Sequence, residues 1–395
     1  MVASLWIVRP VGAQVTDPPA DAPFLAGPLT FAPMVQSNIG HDNNLFNRSE
    51  GDNPEGDFTA TLSPMVDAWL QMARAKAGGR ARVDFYYYKD FIDLRAVDWS
   101  SSGQLDVPLN RLTPFVGGAF AQTTNSQNLE IDAIARQRTG SLRLGSRIRV
   151  SERAALELKF DRSRLDYDQD ALYDDVNLAE ELDYVSKGGG LSFIYELTPL
   201  TTVGVEASIA RDRFDVSTER DSDNASIIPY VQFQPFAVIS GRASIGVQSR
   251  KQLSGTSPDF TGTVIYSDLT YTLLGQTAFT VSATRELQYS YIEGRTDYVE
   301  SGLNLRVLHR LNDFWDVGGN IGRSRLSYRE TITADDALIS YPDELIFQSG
   351  MDVGYRFRRT RIGFRVDYSR RAEDSSQTFG NYRRTRAYTT VSYTF

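Results

Sequence analysis

Arg361-Ile362-Gly363-Phe364-Arg365-Val366-Asp367-Tyr368 decides how this chain is read. With the backbone extended, Ile362, Phe364, Val366 and Tyr368 share one face, and Arg361, Gly363, Arg365 and Asp367 share the other. A helix would scatter both sets around its axis. The same alternation recurs outward along the chain. Val203, Val205, Ala207 and Ile209 oppose Thr202, Gly204, Glu206 and Ser208. Leu142, Leu144, Ile148 and Val150 oppose Arg143, Gly145, Arg147 and Arg149. Eighteen such segments can be marked between Val35 and Val391. They are spaced about 20 residues apart, which suits a membrane-crossing strand of 9–11 residues with some overhang and a connection.

Composition narrows the class. The chain has 395 residues, of which 41% are hydrophobic and 23% charged, and its mean hydropathy is -0.33. No run approaches the roughly 18 apolar residues of a membrane helix. A membrane β-barrel stays open, because only alternate strand residues meet lipid. The net charge of -8 and pI near 5.1 exclude a basic nucleic-acid footprint. The absence of cysteine removes disulfides and thiol chemistry. No cofactor or metal is expected.

The connections alternate in kind. Residues 108–111, 151–153, 198–200, 235–237, 274–276, 311–313 and 358–360 make short turns. Residues 43–57, 167–183, 215–224, 254–259, 331–343 and 372–381 make longer, polar loops. The fold expected is all-β: an antiparallel transmembrane up-and-down β-barrel of about 18 strands, with 16 as the alternative, in a Gram-negative outer membrane. Its short turns, with Asn110, Pro199 and Asn312, would face the periplasm together with both termini. Its loops, with Asp175 and Asp221, would face outward. Residues 29–395 form the barrel, and residues 1–28 form a lead-in or the remnant of a secretory signal. Trp69, Phe115, Phe236, Tyr271, Trp315, Phe357, Tyr393 and Phe395 lie beside the short turns and read as an interfacial girdle. A propeller, the soluble alternative for hairpins at this spacing, would not leave one strand face charged throughout.

Charge at mid-depth on the lipid side costs roughly 2–4 kcal/mol for Arg or Lys, so the charged face must line a lumen. The candidates are Arg82, Asp84, Arg143, Arg147, Arg149, Glu157, Lys159, Glu206, Glu286, Arg306, Asp352, Arg356, Arg365 and Asp367. They would form an ion-paired wall, a selective conduit, or both. Arg143, Arg147 and Arg149 are the densest group and would favour anions. The acidic loop of Asp168, Asp170, Asp174, Asp175, Glu180, Glu181 and Asp183 reads as solvated, with divalent bridging to lipopolysaccharide as the weaker reading. It could fold inward but should not seal the lumen by apolar packing, so constriction should come mostly from long strand side chains on the inner face. His41 and His309 fall at opposite rims and make no catalytic pair, so no enzyme is expected.

The chain also resembles a known group. Asn38-Ile39-Gly40-His41-Asp42-Asn43-Asn44-Leu45-Phe46 is similar to the first strand and loop of outer-membrane β-barrel porins associated with exopolysaccharide gene clusters. Further resemblances are Leu62-Ser63-Pro64, Leu197-Thr198-Pro199-Leu200-Thr201 and Arg211-Asp212-Arg213-Phe214. That family usually has Tyr-Asp-Asp-Asn where this chain has His41-Asp42-Asn43-Asn44. The end of the chain, with Val391, Tyr393 and Phe395, resembles the terminal strand read by β-barrel assembly machinery. The barrel architecture and its charged inner face point to a water-filled channel for small hydrophilic solutes. The resemblance alone implies the alternative of a conduit or accessory barrel for exopolysaccharide export, and a non-conducting structural or surface-binding barrel is the third reading. Outer-membrane lipid, lipopolysaccharide and the assembly machinery are the implied partners.

Overall fold

A computed structural model describes residues 18, 24–125, 129–130, 134–173, 175–235, 237–254, 258–291, 296–329, 331–332, 338–339, 342–373 and 381–395. Eighteen long strands dominate it. They are β1 (Leu29–Asp42), β2 (Asp57–Met72), β3 (Ala75–Tyr88), β4 (Ala96–Asp106), β5 (Leu112–Asn125) and β6 (Ile134–Arg149). Then come β7 (Ala154–Tyr167), β8 (Tyr184–Thr198), β9 (Thr201–Phe214), β10 (Ser222–Phe233), β11 (Ile239–Gln252) and β12 (Phe260–Leu273). The last six are β13 (Thr277–Tyr289), β14 (Asp297–Arg310), β15 (Trp315–Tyr328), β16 (Glu344–Phe357), β17 (Thr360–Glu373) and β18 (Tyr382–Thr394). Each pairs antiparallel with its neighbours in the chain, and β18 pairs with β1 to close the sheet. The count is eighteen, and every segment marked by alternation lies in its own strand. Closure pairs every barrel strand on both sides through the body of the wall, which a hydrocarbon surrounding requires.

Alternation sorts the side chains as the register demands. On β17, Ile362 and Phe364 are 47% and 50% exposed on the outer face. Between them and beyond, Arg365 and Asp367 turn inward and bond one another at 2.8 Å. Val391, Tyr393 and Phe395 continue the outer face of the last strand.

Two aromatics depart from the expected girdle. Trp69 shares its face with Asp67 and with the fully buried Ser63, which is inside. Phe115 also points inward, lying over Gly145, where a Cβ would come within 2.4 Å of the ring. Position near a turn does not decide orientation; parity on the strand does. Phe236 lies outside the described residues, as does most of the segment read as a secretory signal. Phe24–Ala26, within the segment read as lead-in, forms a short strand paired with Leu29–Phe31.

The motif at Asp42-Asn43-Asn44 clasps the seam of the barrel. Asp42 accepts from the Arg384 guanidinium of β18, with an Nη2 contact of 2.5 Å. Asn43 Oδ1 accepts from the Thr385 amide at 2.6 Å. The Asn44 side-chain amide donates to the Arg383 carbonyl at 3.0 Å and to the Arg48 carbonyl at 2.8 Å. First and last strands are thus tied by side chains as well as by their ladder. Removing one partner of a buried pair costs about 3–5 kcal/mol, because the other charge is stranded. Asp42→Ala is therefore expected to lower the temperature at which the folded barrel unfolds on a semi-native gel. An unchanged midpoint would show that the ladder alone holds the seam.

Candidate pore

Thirteen of the fourteen charged candidates lie on the inner face by register, and most are paired; Glu286 lies beyond Arg285, where β13 has parted from β12. Arg143 bonds Asp161 at 2.6 Å, and Arg147 bonds Glu157 at 2.6 Å, each directly across β6 and β7. Lys159 reaches Glu206 at 2.5 Å by passing over Gly190 of β8. A Cβ on Gly190 would meet Lys159 Cε at 2.8 Å, so glycine is what makes that reach possible. Glu206 also has Arg242 at 3.8 Å, and the Arg242 guanidinium lies 3.8 Å from the Tyr230 ring centre. Arg82 bonds Asp84 at 2.7 Å beside Ser63. Glu286 stands opposite Glu300 on β13 and β14. Arg149 is exposed at the turn end of β6.

A wider network crosses β14 to β18. Arg306 lies 3.5 Å and Arg365 3.1 Å from Asp352. Arg356 and Arg361 meet Asp316 at 3.6 and 2.5 Å. Arg386 and the Tyr388 hydroxyl approach Asp367 at 3.9 and 3.0 Å. Gly318, Gly350 and Gly354 leave the space these side chains occupy. The inner face is therefore a polar wall held rigid by alternating charge. Lys159, Asp161, Ser163, Ser186, Glu206 and Ser208 line a recess of about 140 Å³ within it.

The mouth at the loop end is built differently. β13 is paired with β12 only as far as Arg285, yet it stays paired with β14 to Tyr289–Asp297. The end of that hairpin leaves the wall and folds inward. The Tyr289 hydroxyl donates to Asp212 of β9 at 2.7 Å and lies 2.7 Å from Ser222 Oγ of β10. Its ring packs on Phe214 and Tyr184, under the guanidinium of Arg250, at 4.1 Å. Asp297 takes Arg329 at 3.0 Å and Gln252 at 3.1 Å.

Two loops meet this hairpin. The loop after β7 carries a short helix, Leu178–Leu182, whose Leu178 and Leu182 are buried with Tyr289 and Tyr291. From the loop after β5, Glu130 accepts from Ser290 Oγ at 2.6 Å and from the Tyr291 amide at 3.1 Å. Arg371 of β17 donates to the Glu130 carbonyl at 3.1 Å and bonds Glu344 at 2.7 Å. Burial pushes the Glu130 carboxyl up to about 7. Apolar residues of the acidic loop thus pack against the hairpin at this mouth, a contact the sequence did not show. Leu178 and Leu182 were obscured by the acids around them. Among those acids, Asp168 faces Arg138 at 3.3 Å, and Asp183 accepts from the Tyr167 amide. Among the described residues no three metal-ligating side chains converge. His41 and His309 sit at opposite ends of their strands, with His309 Nδ1 2.8 Å from Thr277 Oγ1.

An apolar exterior around a charged interior is the architecture of an outer-membrane channel. The fold is similar to that of OpdQ from Pseudomonas aeruginosa, with TM-score 0.50 and 12% identity over 93% of this chain and 97% of that one. OccK1 (OpdK) of the same organism gives 0.49 at 10% identity, covering 92% and 99%. OccAB4 of Acinetobacter baumannii gives 0.47 at 10%, covering 92% and 98%. At such identities the likeness concerns the fold alone. Comparison with curated proteins finds no match. The model of one family, described as Putative beta-barrel porin 2, matches residues 21–395, and the chain belongs to that family.

Proposed function

We propose that the barrel is a passive channel for small hydrophilic solutes, with a bias toward anions and with both termini in the periplasm. The bias rests on the cluster around Arg143. Arg143 and Arg147 each have one carboxylate, while Lys159 and Arg242 share Glu206. Arg149 adds a further cation at the turn end. Five cations against Asp161, Glu157 and Glu206 leave this cluster at +2. Fixed positive charge on a water-filled wall lowers the entry barrier for anions and raises it for cations.

The test is the reversal potential across a salt gradient in planar bilayers. Arg143→Glu with Arg147→Glu should shift it toward cations. Asp161→Asn with Glu157→Gln should shift it the other way. Conduction with an unchanged reversal potential in both variants would assign these residues to the wall and not to selection.

A further inference from the structure

The outer face carries cations too, and in one row the register brings three of them side by side on neighbouring strands. Arg162 of β7 stands directly opposite Lys187 of β8, and Lys187 stands directly opposite Arg211 of β9. All three are exposed. Their face is the outer one, since Leu158, Leu191 and Ile209 share it and are 63%, 51% and 69% exposed. Like charges directly opposite on neighbouring strands destabilise a sheet unless something sits between them.

The neighbouring carboxylates are already committed. One residue pair nearer the loops, Arg164 holds Asp166 at 2.6 Å and Asp215 at 2.8 Å. Asp223, which follows Arg211 in the row, bonds Arg213 at 2.7 Å. None of these acids comes within bonding distance of Arg162, Lys187 or Arg211.

Directly beneath the row, toward the turns, the surface becomes apolar. Phe160 and Ile209 flank Gly189 there. A Cβ on Gly189 would meet only the Lys159 carbonyl, at 3.4 Å, so the outer surface is open at that point. Leu158, Leu191 and Phe193 continue the apolar strip below. The far side of the barrel repeats the step from apolar to basic, with Ile321 giving way to Arg323 and Tyr368 to Arg370.

We propose that Arg162, Lys187 and Arg211 form a docking site for a phosphate-bearing lipid, with its acyl chains on the strip below and its anionic headgroup across the three cations. The row spans about 10 Å at the usual strand spacing, wide enough for more than one phosphate. Two guanidinium forks suit bidentate phosphate contacts, and the lysine between them supplies a point charge. A neutral headgroup would leave the repulsion in place, and a soluble anion would leave the apolar groove uncovered.

The probe is lipid A bearing two phosphates, titrated onto the full-length barrel in zwitterionic detergent and followed by native mass spectrometry. Wild-type barrel should retain it at least tenfold more tightly than the triple variant Arg162→Gln, Lys187→Gln, Arg211→Gln. A phosphate-free analogue should bind both equally weakly. Equal retention of the bisphosphorylated lipid by both barrels would overturn the site. Displacement by millimolar inorganic phosphate with no dependence on acyl chains would overturn the lipid assignment. If the triple variant does not fold, Lys187→Gln alone should weaken retention at least threefold, and no change there would likewise refute the proposal.

Discussion

The open probability of the channel is expected to rise at least about tenfold between pH 5 and pH 8, and Glu130→Gln is expected to abolish that rise. Glu130 holds the inward hairpin through Ser290 and Tyr291. Leu129, Tyr298, Tyr328, Glu344 and Arg371 surround it. Burial is the largest influence on its carboxyl and lifts it to about 7. The sign follows from linkage. A carboxyl raised in the tucked arrangement stabilises that arrangement fully below its solvated pKa, near 4.5. That stabilisation is lost as the pH climbs toward about 7. Each pH unit in this window is worth up to a factor of ten. Arg371 stays charged throughout, so it sets a constant background. Gln can accept from the Tyr291 amide through its oxygen and donate its NH2 to Ser290 Oγ without titrating, so Glu130→Gln should keep the hairpin tucked at every pH. Single-channel recording over pH 5–8 is the measurement. A wild-type open probability that is flat, or that falls as pH rises, would refute the gating role of Glu130.

Deletion of Phe395 should lower the amount of barrel inserted in the membrane about tenfold while leaving the unfolding midpoint of the inserted fraction almost unchanged. Phe395 is 43% exposed, and its ring packs edge-on against Tyr393 at 4.9 Å. Its amide donates to the Pro33 carbonyl of β1 at 3.2 Å. One exposed ring and one hydrogen bond contribute only about 1–2 kcal/mol to a closed sheet of this size. If Val391, Tyr393 and Phe395 are what assembly machinery reads before insertion, that step would have no such reserve to draw on. Equal membrane levels of wild type and deletion would sink the assembly role. A matching fall in the unfolding midpoint would assign Phe395 to stability.

The strands were legible because a barrel wall imposes period two on almost every residue, and segments such as Ile362–Tyr368 obey it without exception. The inner charges were legible for the same reason. Their pairing was not. Lys159 meets Glu206 across an intervening strand only because Gly190 is bare, and that geometry depends on the stagger of three strands. The inward hairpin was hidden by its own regularity. Leu287 and Tyr289 continue the alternation of β13 and so read as lipid-facing, yet β13 parts from β12 before reaching them. Nothing local distinguishes a strand that stays in the wall from one that leaves it. Trp69 and Phe115 failed for a related reason, since an aromatic near a turn has either face available to it.

The absence of cysteine from the chain allows a direct test of the lumen as the conducting path. Ser208 lines the inner recess, and its neighbour Ile209 is 69% exposed on the outer face. Single cysteines at the two positions, exposed to a charged thiol reagent during single-channel recording, should behave oppositely. Current should fall on modification of Ser208→Cys and stay constant with Ile209→Cys. Current insensitive to modification at 208, or blocked only through 209, would contradict a conducting lumen lined by this face.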